Sequence, residues 1–512
     1  MTMTRRIISQ SGIQLAGKLA GIAFGVAAIA IITRALGLAG YGKYATIMAY
    51  LQLFGVAVDL GLNVLAPSEL GRLSSSSSRA SDSSSFVISS EYSSREISAA
   101  ERGFSATASD SLGRNDERAV LLSNIFTMRL TVAVVVFAAA AAVAFVIPVY
   151  DPVVRVGIAA ATFSFLGIVL HQILLAPFQV AQRMVWPAIA DVAGRALLTA
   201  GVAFAAWRGM GILPMVWATV IGNVAMFAIT FIAAQRIVRV RLAFDFPLWK
   251  RILTKSWPVA LSIIFNLVYL RADTVILSFV RPEEEVGIYA APYRLLDVVT
   301  QFPHLVMGLV LPLLAAAWAT GDRAAFRHRL QRVFDGLAFL GFPLAAGALA
   351  LGTPIMAFVA GSDFAVSGPI LGVLSLALLG IFLGQPFGYA IVALERQRAM
   401  LWGYAAVAAV TLIGYFVFIP RYSYWGAAWM TVASEIAIAV ATFAVVRRTS
   451  AVRLDLRIPV AALLASGLMA LAVLAVPAWH IIPRVALGVI AYGAAVLLIP
   501  WTRRMVVAFR AS

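Results

Sequence analysis

The feature that most constrains this chain is a series of apolar stretches, each about as long as a bilayer is thick. A helix of about 20 apolar residues crosses the hydrocarbon core of a bilayer. No water is available there, so each helix must bond its own backbone polar groups. The sequence therefore predicts an all-α polytopic membrane protein with about 14 transmembrane helices. The predicted spans are approximately 9–33, 43–66, 118–147, 154–180, 184–206, 212–235, 256–280, 285–315, 333–359, 366–394, 399–419, 424–446, 458–477 and 482–501.

Composition agrees with this interpretation and excludes several kinds of site. Of 512 residues, 62% are hydrophobic and only 12% are charged, which is unlike a soluble domain. The chain has no cysteine, which excludes disulfides, thiolate zinc sites and thiol nucleophiles. The four histidines are scattered without the spacing of metal ligands. We therefore expect no catalytic residue, no metal and no cofactor.

The basic residues are distributed unequally between the two sets of loops. Loops on the same side as the N-terminus carry 28 lysines and arginines, and the opposite loops carry 7. Cytoplasmic loops of membrane proteins are enriched in these residues. The distribution predicts that both termini lie in the cytoplasm. It also explains the net charge of +17 without a nucleic-acid partner.

Short sequence matches between the two halves indicate an internal repeat. Residues 1–235 then form one six-helix lobe and residues 256–446 a second, while residues 447–512 add two helices and a cytoplasmic tail. Both lobes have the same orientation, so the repeat is parallel, and transporters of this kind bind substrate at the repeat interface. The matches are Gly42-Lys-Tyr44-Ala45 with Gly287-Ile-Tyr289-Ala290, Pro177-Phe178 with Pro386-Phe387, and Trp217-Ala-Thr219-Val220 with Trp429-Met-Thr431-Val432.

Two segments fall outside the repeat. Residues 73–115 are rich in serine and charge, so they cannot bury enough apolar surface to fold alone. We interpret them as a flexible cytoplasmic insertion, with a short surface helix or a regulatory segment as alternatives. Residues 236–255 connect the lobes and mix arginines and lysines with aromatic residues. This basic amphipathic connector is expected to lie on the cytoplasmic membrane surface.

Several motifs carry a family resemblance. They are Arg34-Ala-Leu36-Gly37 leading to Tyr41-Gly42-Lys-Tyr44, Asp59-Leu-Gly61-Leu62 at the end of span 2, Arg271-Ala-Asp273 in span 7, and Gly287-Ile-Tyr289-Ala290 at the start of span 8. With twelve spans in two lobes plus two more, the chain resembles the polysaccharide (Wzx-type) flippases of the multidrug/oligosaccharidyl-lipid/polysaccharide exporter superfamily.

The resemblance implies a function and a set of partners. Its substrate would be a lipid-linked oligosaccharide of the undecaprenyl-pyrophosphate type, moved from the cytoplasmic to the outer leaflet by alternating access. Such a flippase lies in the bacterial plasma (inner) membrane and serves polysaccharide, exopolysaccharide or lipopolysaccharide synthesis. Its partners would be this substrate, membrane lipids and possible polymerase or export machinery. It would be a transporter and not an enzyme.

Five cations lie inside predicted spans, where a charge costs at least about 2.5–3.5 kcal/mol on insertion scales. They are Lys18, Arg129, Arg195, Arg271 and Arg294. We predict that they form a cationic cavity for the anionic substrate.

Local spacing divides these cations into two groups. Arg195 follows Asp191 by four residues and Arg294 precedes Asp297 by three, so both have an acid on the same helix face. Arg129 lies near the start of its span and is expected to snorkel to the interface. Lys18 and Arg271 have no acid suitably placed on their own helices. They are the strongest candidates to contact the substrate.

Other residues of spans 1, 7 and 8 could complete the site. Asn266, Tyr269, Tyr293 and Gln301 could form hydrogen bonds with sugar hydroxyls. Asp273 and Asp297 are candidates to couple transport to a proton, to Na⁺ or to the membrane potential.

Span 1 also carries glycines at 17, 21 and 25. A stripe of this spacing favours close helix packing, with a bending hinge as the alternative.

Two other functions compete with the flippase interpretation. A drug or cation antiporter of the same superfamily would favour an acidic, aromatic cavity, whereas this chain has five cations at membrane depth. A membrane-embedded polysaccharide polymerase or glycosyltransferase would be expected to have a large outer loop, whereas the outer loops here are short.

Overall fold

The structure is a computed structural model in which the backbone is described for residues 3–59, 62, 66, 70, 114–181 and 183–498. Within these ranges, side chains are described except at 3–16, 19, 56, 114–116, 255, 258–260, 262–270 and 398. Residues 73–113 of the serine-rich segment and the predicted cytoplasmic tail lie outside the described residues.

The secondary structure of the described chain is helical, as the apolar spans predict. A short 3₁₀ helix, Ser362–Ser367, precedes the tenth α-helix. The α-helices are α1 (Met3–Asp59), α2 (Arg114–Val146), α3 (Pro152–Ile173), α4 (Leu175–Val180), α5 (Val185–Trp207), α6 (Ile212–Gln235), α7 (Phe246–Val280), α8 (Glu283–Ala319), α9 (Arg323–Ala360), α10 (Gly368–Ala393), α11 (Gln397–Ser450), α12 (Arg457–Leu474) and α13 (Ile481–Leu498).

Eleven helical stretches of the described chain are long and apolar enough to cross a membrane. Two of them, α1 and α11, contain a kink and each supplies two of the predicted spans. The seventh predicted span is the C-terminal part of α7. The protein is thus a multi-pass membrane protein with the all-α fold that the sequence predicts.

The two kinks have different origins. In α1 the backbone turns at Gly37, which has φ 65°, and glycine adopts positive φ without a Cβ clash. In α11 the turn is at Ser423, with φ 53°. A non-glycine residue held there costs about 1–3 kcal/mol and persists only when its surroundings fix it. The Ser423 hydroxyl donates a hydrogen bond to Glu285, which ties the kink to the start of α8.

The hydrophobic core is divided between the two halves of the chain. One cluster of buried side chains is built mainly from α1 to α6, and another mainly from α8 to α11. Helix α7 contributes to both, through Val275 to the first and Ile276 to the second. A third, smaller cluster combines residues of both halves, including Ile32 and Tyr41 with Ala291 and Phe364.

Equivalent hydrogen bonds in the two halves agree with the internal repeat. In the first half, the hydroxyls of Tyr44 and Thr219 lie 3.0 Å apart. In the second half, those of Tyr289 and Thr431 lie 3.2 Å apart. All four residues belong to the matched sequence motifs. Each motif pair therefore makes the same contact within its own half.

Candidate functional site

A stripe of polar residues runs along α8 at membrane depth. Arg294, Asp297, Gln301 and His304 are three, four and three residues apart, which places them on one face of the helix. Arg294, Gln301 and His304 are exposed. Polar side chains in a membrane-spanning helix normally face a water-filled cavity or the interior of the bundle. The stripe therefore marks the face of α8 that turns away from lipid.

Asp297 contacts two arginines near the N-terminal end of this stripe. Arg271 of α7 donates two hydrogen bonds to it, Nη1 to Oδ2 at 3.0 Å and Nη2 to Oδ1 at 2.9 Å. Arg294 lies 3.5 Å from the same carboxylate, as the local spacing predicted. The Arg271 guanidinium also lies 5.3 Å from the centre of the Tyr293 ring. One carboxylate thus faces two cations, and the carboxylate of Asp273 also interacts electrostatically with Arg271.

The expectation that Arg271 is unpaired is wrong. Its partner is on the next helix, where spacing along α7 could not reveal it. The side chain of Arg271 is only 19% exposed, whereas that of Arg294 is 50% exposed. Of the two arginines, Arg294 is the more accessible to a ligand.

Asp273 lies two residues further along α7 and is fully buried. It accepts a hydrogen bond of 2.6 Å from the hydroxyl of Tyr289. That hydroxyl also contacts Thr431 of α11, and so does the hydroxyl of Tyr415, at 3.3 Å. The buried carboxylate therefore sits in a network of hydroxyl groups that connects α7, α8 and α11.

The glycine stripe of α1 packs against α5, as the packing interpretation predicts. A Cβ at Gly17 would lie 3.0 Å from the Cβ of Ala188, and one at Gly21 would lie 3.0 Å from Arg195. Arg195 forms its predicted ion pair with Asp191, with Nε 3.0 Å from Oδ1. The alternative role of the stripe as a bending hinge stays a prediction.

Lys18 lies beside this stripe, and its side chain is exposed. It interacts electrostatically with His304 of α8, which places it near the C-terminal end of the polar stripe. No acidic group among the described residues forms an ion pair with it. Arg195 on the neighbouring α5 is 47% exposed. Lys18, Arg195 and Arg294 are the accessible cations among the predicted site residues, and we call them the cation cluster.

Arg129 corrects another expectation. It does not snorkel to an interface, because its side chain is fully buried. Its Nη2 donates to Asp59 at 3.1 Å and to Gln172 at 3.0 Å. These groups compensate its charge inside the first half of the molecule.

Sequence reasoning assigned Tyr293 and Gln301 to the site, and both lie on α8 beside Asp297. The side chains of Asn266 and Tyr269 lie outside the described residues. His304 of the stripe and Gln385 of α10 were not assigned to the site, although their side-chain nitrogens lie 3.3 Å apart. The heptad-like spacing of the polar residues on α8 is the signal that could have found His304.

The two halves meet where their equivalent motif glycines contact each other. A Cβ at Gly42 of α1 would lie 1.8 Å from the carbonyl oxygen of Glu283, and one at Gly287 of α8 would lie 2.1 Å from that of Leu38. No real Cβ is found so close to another atom, so only glycine fits at either position. We call this crossing of α1 and α8 the glycine contact.

Lys43 of α1 forms a salt bridge with Asp151, which lies between the end of α2 and the start of α3. Partial burial alone would raise the pKa of Asp151. Hydrogen bonds from Lys43 and from the backbone N–H of Val154 outweigh this effect of burial, so the pKa of Asp151 lies below its usual range. Because the folded state has the lower pKa, the pair stabilises above the unfolded pKa of about 3.9, and this stabilisation disappears as the pH falls through the folded value.

We expect Asp151→Asn to be less stable than the wild type at pH 7 by up to about 1 kcal/mol, as for exposed pairs. Asparagine keeps the N-cap of α3, so the substitution removes only the charge. Thermal unfolding in detergent from pH 7 to 3 measures this difference, which should close below about pH 4. A difference that is constant over this range would contradict the assignment.

Comparison with known proteins identifies the fold of this chain and its family. The lipid II flippase MurJ, in an inward closed conformation, matches with a TM-score of 0.69 and 14% identity over 98% of this chain and 100% of MurJ. An inward-facing multidrug resistance MATE family transporter of the MOP superfamily matches with a TM-score of 0.63 and 13% identity over 86% of this chain and 98% of its own. A MOP superfamily transporter from Pyrococcus furiosus gives 0.57 and 13% over 87% and 96%.

The fold is therefore the one shared by MurJ and the MATE transporters. No curated protein sequence matches the chain. The sequence profile of the polysaccharide biosynthesis protein family matches residues 4–318, and the chain belongs to this family.

Proposed function

We propose that the protein is a flippase that moves a lipid-linked oligosaccharide of the undecaprenyl-pyrophosphate type across the plasma membrane for polysaccharide synthesis. The observation that carries this proposal is the excess of accessible positive charge at membrane depth. The cation cluster places three accessible cations on α1, α5 and α8. Together with Arg271 they face the carboxylates of Asp191, Asp273 and Asp297, which leaves an excess of one formal positive charge. Membership of the polysaccharide biosynthesis family and the fold of a lipid II flippase support the same conclusion.

The charge of the site suits a pyrophosphate. Exposed cations at membrane depth are costly unless a cavity hydrates them or an anion compensates them. Arginine pairs well with phosphate because its planar group donates two parallel hydrogen bonds. The same excess of positive charge would repel the cationic drugs that an antiporter carries. A pyrophosphate-bearing lipid is thus the better match.

Asp297 has a specific role in this mechanism. In the present structure it neutralises part of the charge on Arg271 and Arg294, at 2.9–3.5 Å. A phosphate entering beside Arg294 would compete with Asp297 for these donors. The carboxylate therefore positions the two arginines, which would exchange their hydrogen bonds to Asp297 for hydrogen bonds to the substrate phosphate. Sugar hydroxyls would then contact Gln301 and Tyr293, with Asn266 and Tyr269 on α7.

The transport cycle would follow from the two-lobed architecture. The headgroup binds between the lobes while the lipid tail stays in the bilayer, and the lobes rock to expose the site to the other side. The glycine contact would close the outer side in one state and separate in the other. Coupling to a proton, to Na⁺ or to the membrane potential would use Asp273, in its hydroxyl network, or Asp297. The protein would lie in a bacterial inner membrane with both termini in the cytoplasm, where polymerase or export machinery could act with it.

We expect Lys18→Ala and Arg294→Ala each to weaken binding of an undecaprenyl-pyrophosphate-linked oligosaccharide by about ten-fold or more, the value of one hydrogen bond to a charged group. Arg294 is half-exposed and its contact with Asp297 is long, so stability should change little. Binding can be measured on purified protein in nanodiscs.

Arg208→Ala is the matched control for this experiment. Arg208 follows the last residue of α5, and its guanidinium lies over the rings of Phe204 and Trp207, 5.7 and 5.2 Å from their centres. It should bind like the wild type. Unchanged affinity in both Lys18→Ala and Arg294→Ala would remove the site assignment, and loss of affinity in Arg208→Ala would show that the effect is not specific.

A further inference from the structure

The connector between the lobes forms an extended strap on the surface of α2. Residues 239–245 are not helical, and they lie between α6 and α7. The backbone N–H groups of Arg241, Ala243 and Asp245 are each bonded to a side chain of α2. The acceptors are Ser123 at 3.0 Å, Thr127 at 3.0 Å and Asn124 at 2.9 Å respectively. Every second amide of the strap is therefore fixed to one helix.

The alternation of an extended chain sends the intervening side chains outward. Leu242 and Phe244 are each 63% exposed, and Phe246, the first residue of α7, is 67% exposed beside them. They are not loosely placed, because Trp249 packs against both phenylalanines, with ring centres 5.9 and 5.2 Å away. The indole N–H of Trp249 also donates to Asn124. The strap thus presents a fixed row of large apolar side chains.

Positive charge surrounds this row. Arg236, Arg239, Arg241, Lys250 and Arg251 are all exposed, and among described residues 236–254 the acidic side chain is Asp245, which caps the start of α7. Large apolar side chains next to exposed cations suit the boundary between headgroups and acyl chains. Cations at that depth are attracted to acidic headgroups of the cytoplasmic leaflet.

We propose that this strap is a binding surface for anionic phospholipid. The three apolar side chains enter the acyl boundary, and the arginines and lysines around them contact the phosphates of acidic headgroups. Because the strap is hydrogen-bonded to α2 of the first lobe and continues into α7, bound lipid fixes the link between the two lobes to the leaflet. This inference does not depend on which substrate is transported.

The absence of cysteine makes the test direct. A fluorophore is attached to the single cysteine of Phe244→Cys, and the protein is placed in nanodiscs. Quenching of the fluorophore is then compared between nanodiscs that contain brominated phosphatidylglycerol and nanodiscs that contain the same fraction of brominated phosphatidylcholine. We expect phosphatidylglycerol to quench more strongly. Arg239→Gln with Arg241→Gln should reduce this preference by about five-fold for each cation removed. The matched control neutralises two exposed arginines of another helix, Arg323→Gln with Arg327→Gln, and should keep the preference.

Each other outcome overturns the proposal. Equal quenching by the two lipids would show that the strap enters the bilayer without recognising acidic headgroups. No quenching by either would show that the row is covered by something other than lipid. Loss of the preference in the control pair would show that general surface charge, and not the strap, selects the lipid. Transport activity is not used as the readout, so failure of the flippase proposal would leave these results interpretable.

Discussion

Alanine at Gly42 or Gly287 is expected to abolish translocation. A Cβ at these positions would lie 1.8 and 2.1 Å from backbone carbonyl oxygens of the opposite half. Backbone atoms cannot move aside as a flexible side chain can, so α1 and α8 must separate. If the glycine contact closes the outer side, both variants will stay open there and the cycle will stop. Translocation in proteoliposomes, with labelling of Ala291→Cys by a membrane-impermeant maleimide, measures both consequences.

The control is Gly308→Ala on the same helix as Gly287, since a Cβ at Gly308 would meet nothing within 4 Å. It should transport and label like the parent protein. Ala291 is buried where the halves meet, so stronger labelling in Gly42→Ala or Gly287→Ala would show that this side has opened. Normal transport in either variant would refute the role of the glycine contact.

Asp297→Ala is expected to destabilise the protein by about 3 kcal/mol, near the lower end of the range for breaking a buried pair. The loss leaves Arg271, whose side chain is only 19% exposed, without its two hydrogen bonds to a carboxylate. Unfolding in mixed detergent micelles, compared with the wild type, measures the change.

Asp191→Ala is the matched control, because it also removes a carboxylate from an arginine within a membrane helix. Its partner Arg195 is 47% exposed and can be hydrated. A pair of this kind contributes about 0–1 kcal/mol. Equal destabilisation by the two substitutions would contradict the view that Asp297 compensates a buried charge.

The fold could be predicted from the sequence because membrane spans are local features. Each span satisfies its backbone within one helix, so length and apolarity locate it without knowledge of its neighbours. The kinks at Gly37 and Ser423 fall at the predicted breaks between spans. The repeated motifs predicted which residues correspond, and the matched bonds of Tyr44 with Thr219 and Tyr289 with Thr431 agree with that correspondence.

The pairing of charges could be predicted only where both partners share a helix. Asp191 with Arg195 and Arg294 with Asp297 follow from spacing of four and three residues. Arg271 was expected to be unpaired because its partner lies on α8, and a contact between helices depends on how they pack. Arg129 was expected near an interface for the same reason, since its position along the span does not show which neighbours surround it.

The most direct test of the account is translocation of an undecaprenyl-pyrophosphate-linked oligosaccharide between the leaflets of proteoliposomes. The account predicts that the wild type moves this lipid and that a variant combining Lys18→Ala with Arg294→Ala loses most of the activity while remaining folded. If the wild type moves no lipid-linked oligosaccharide and instead exports cationic compounds, the flippase proposal is wrong and the protein is an antiporter.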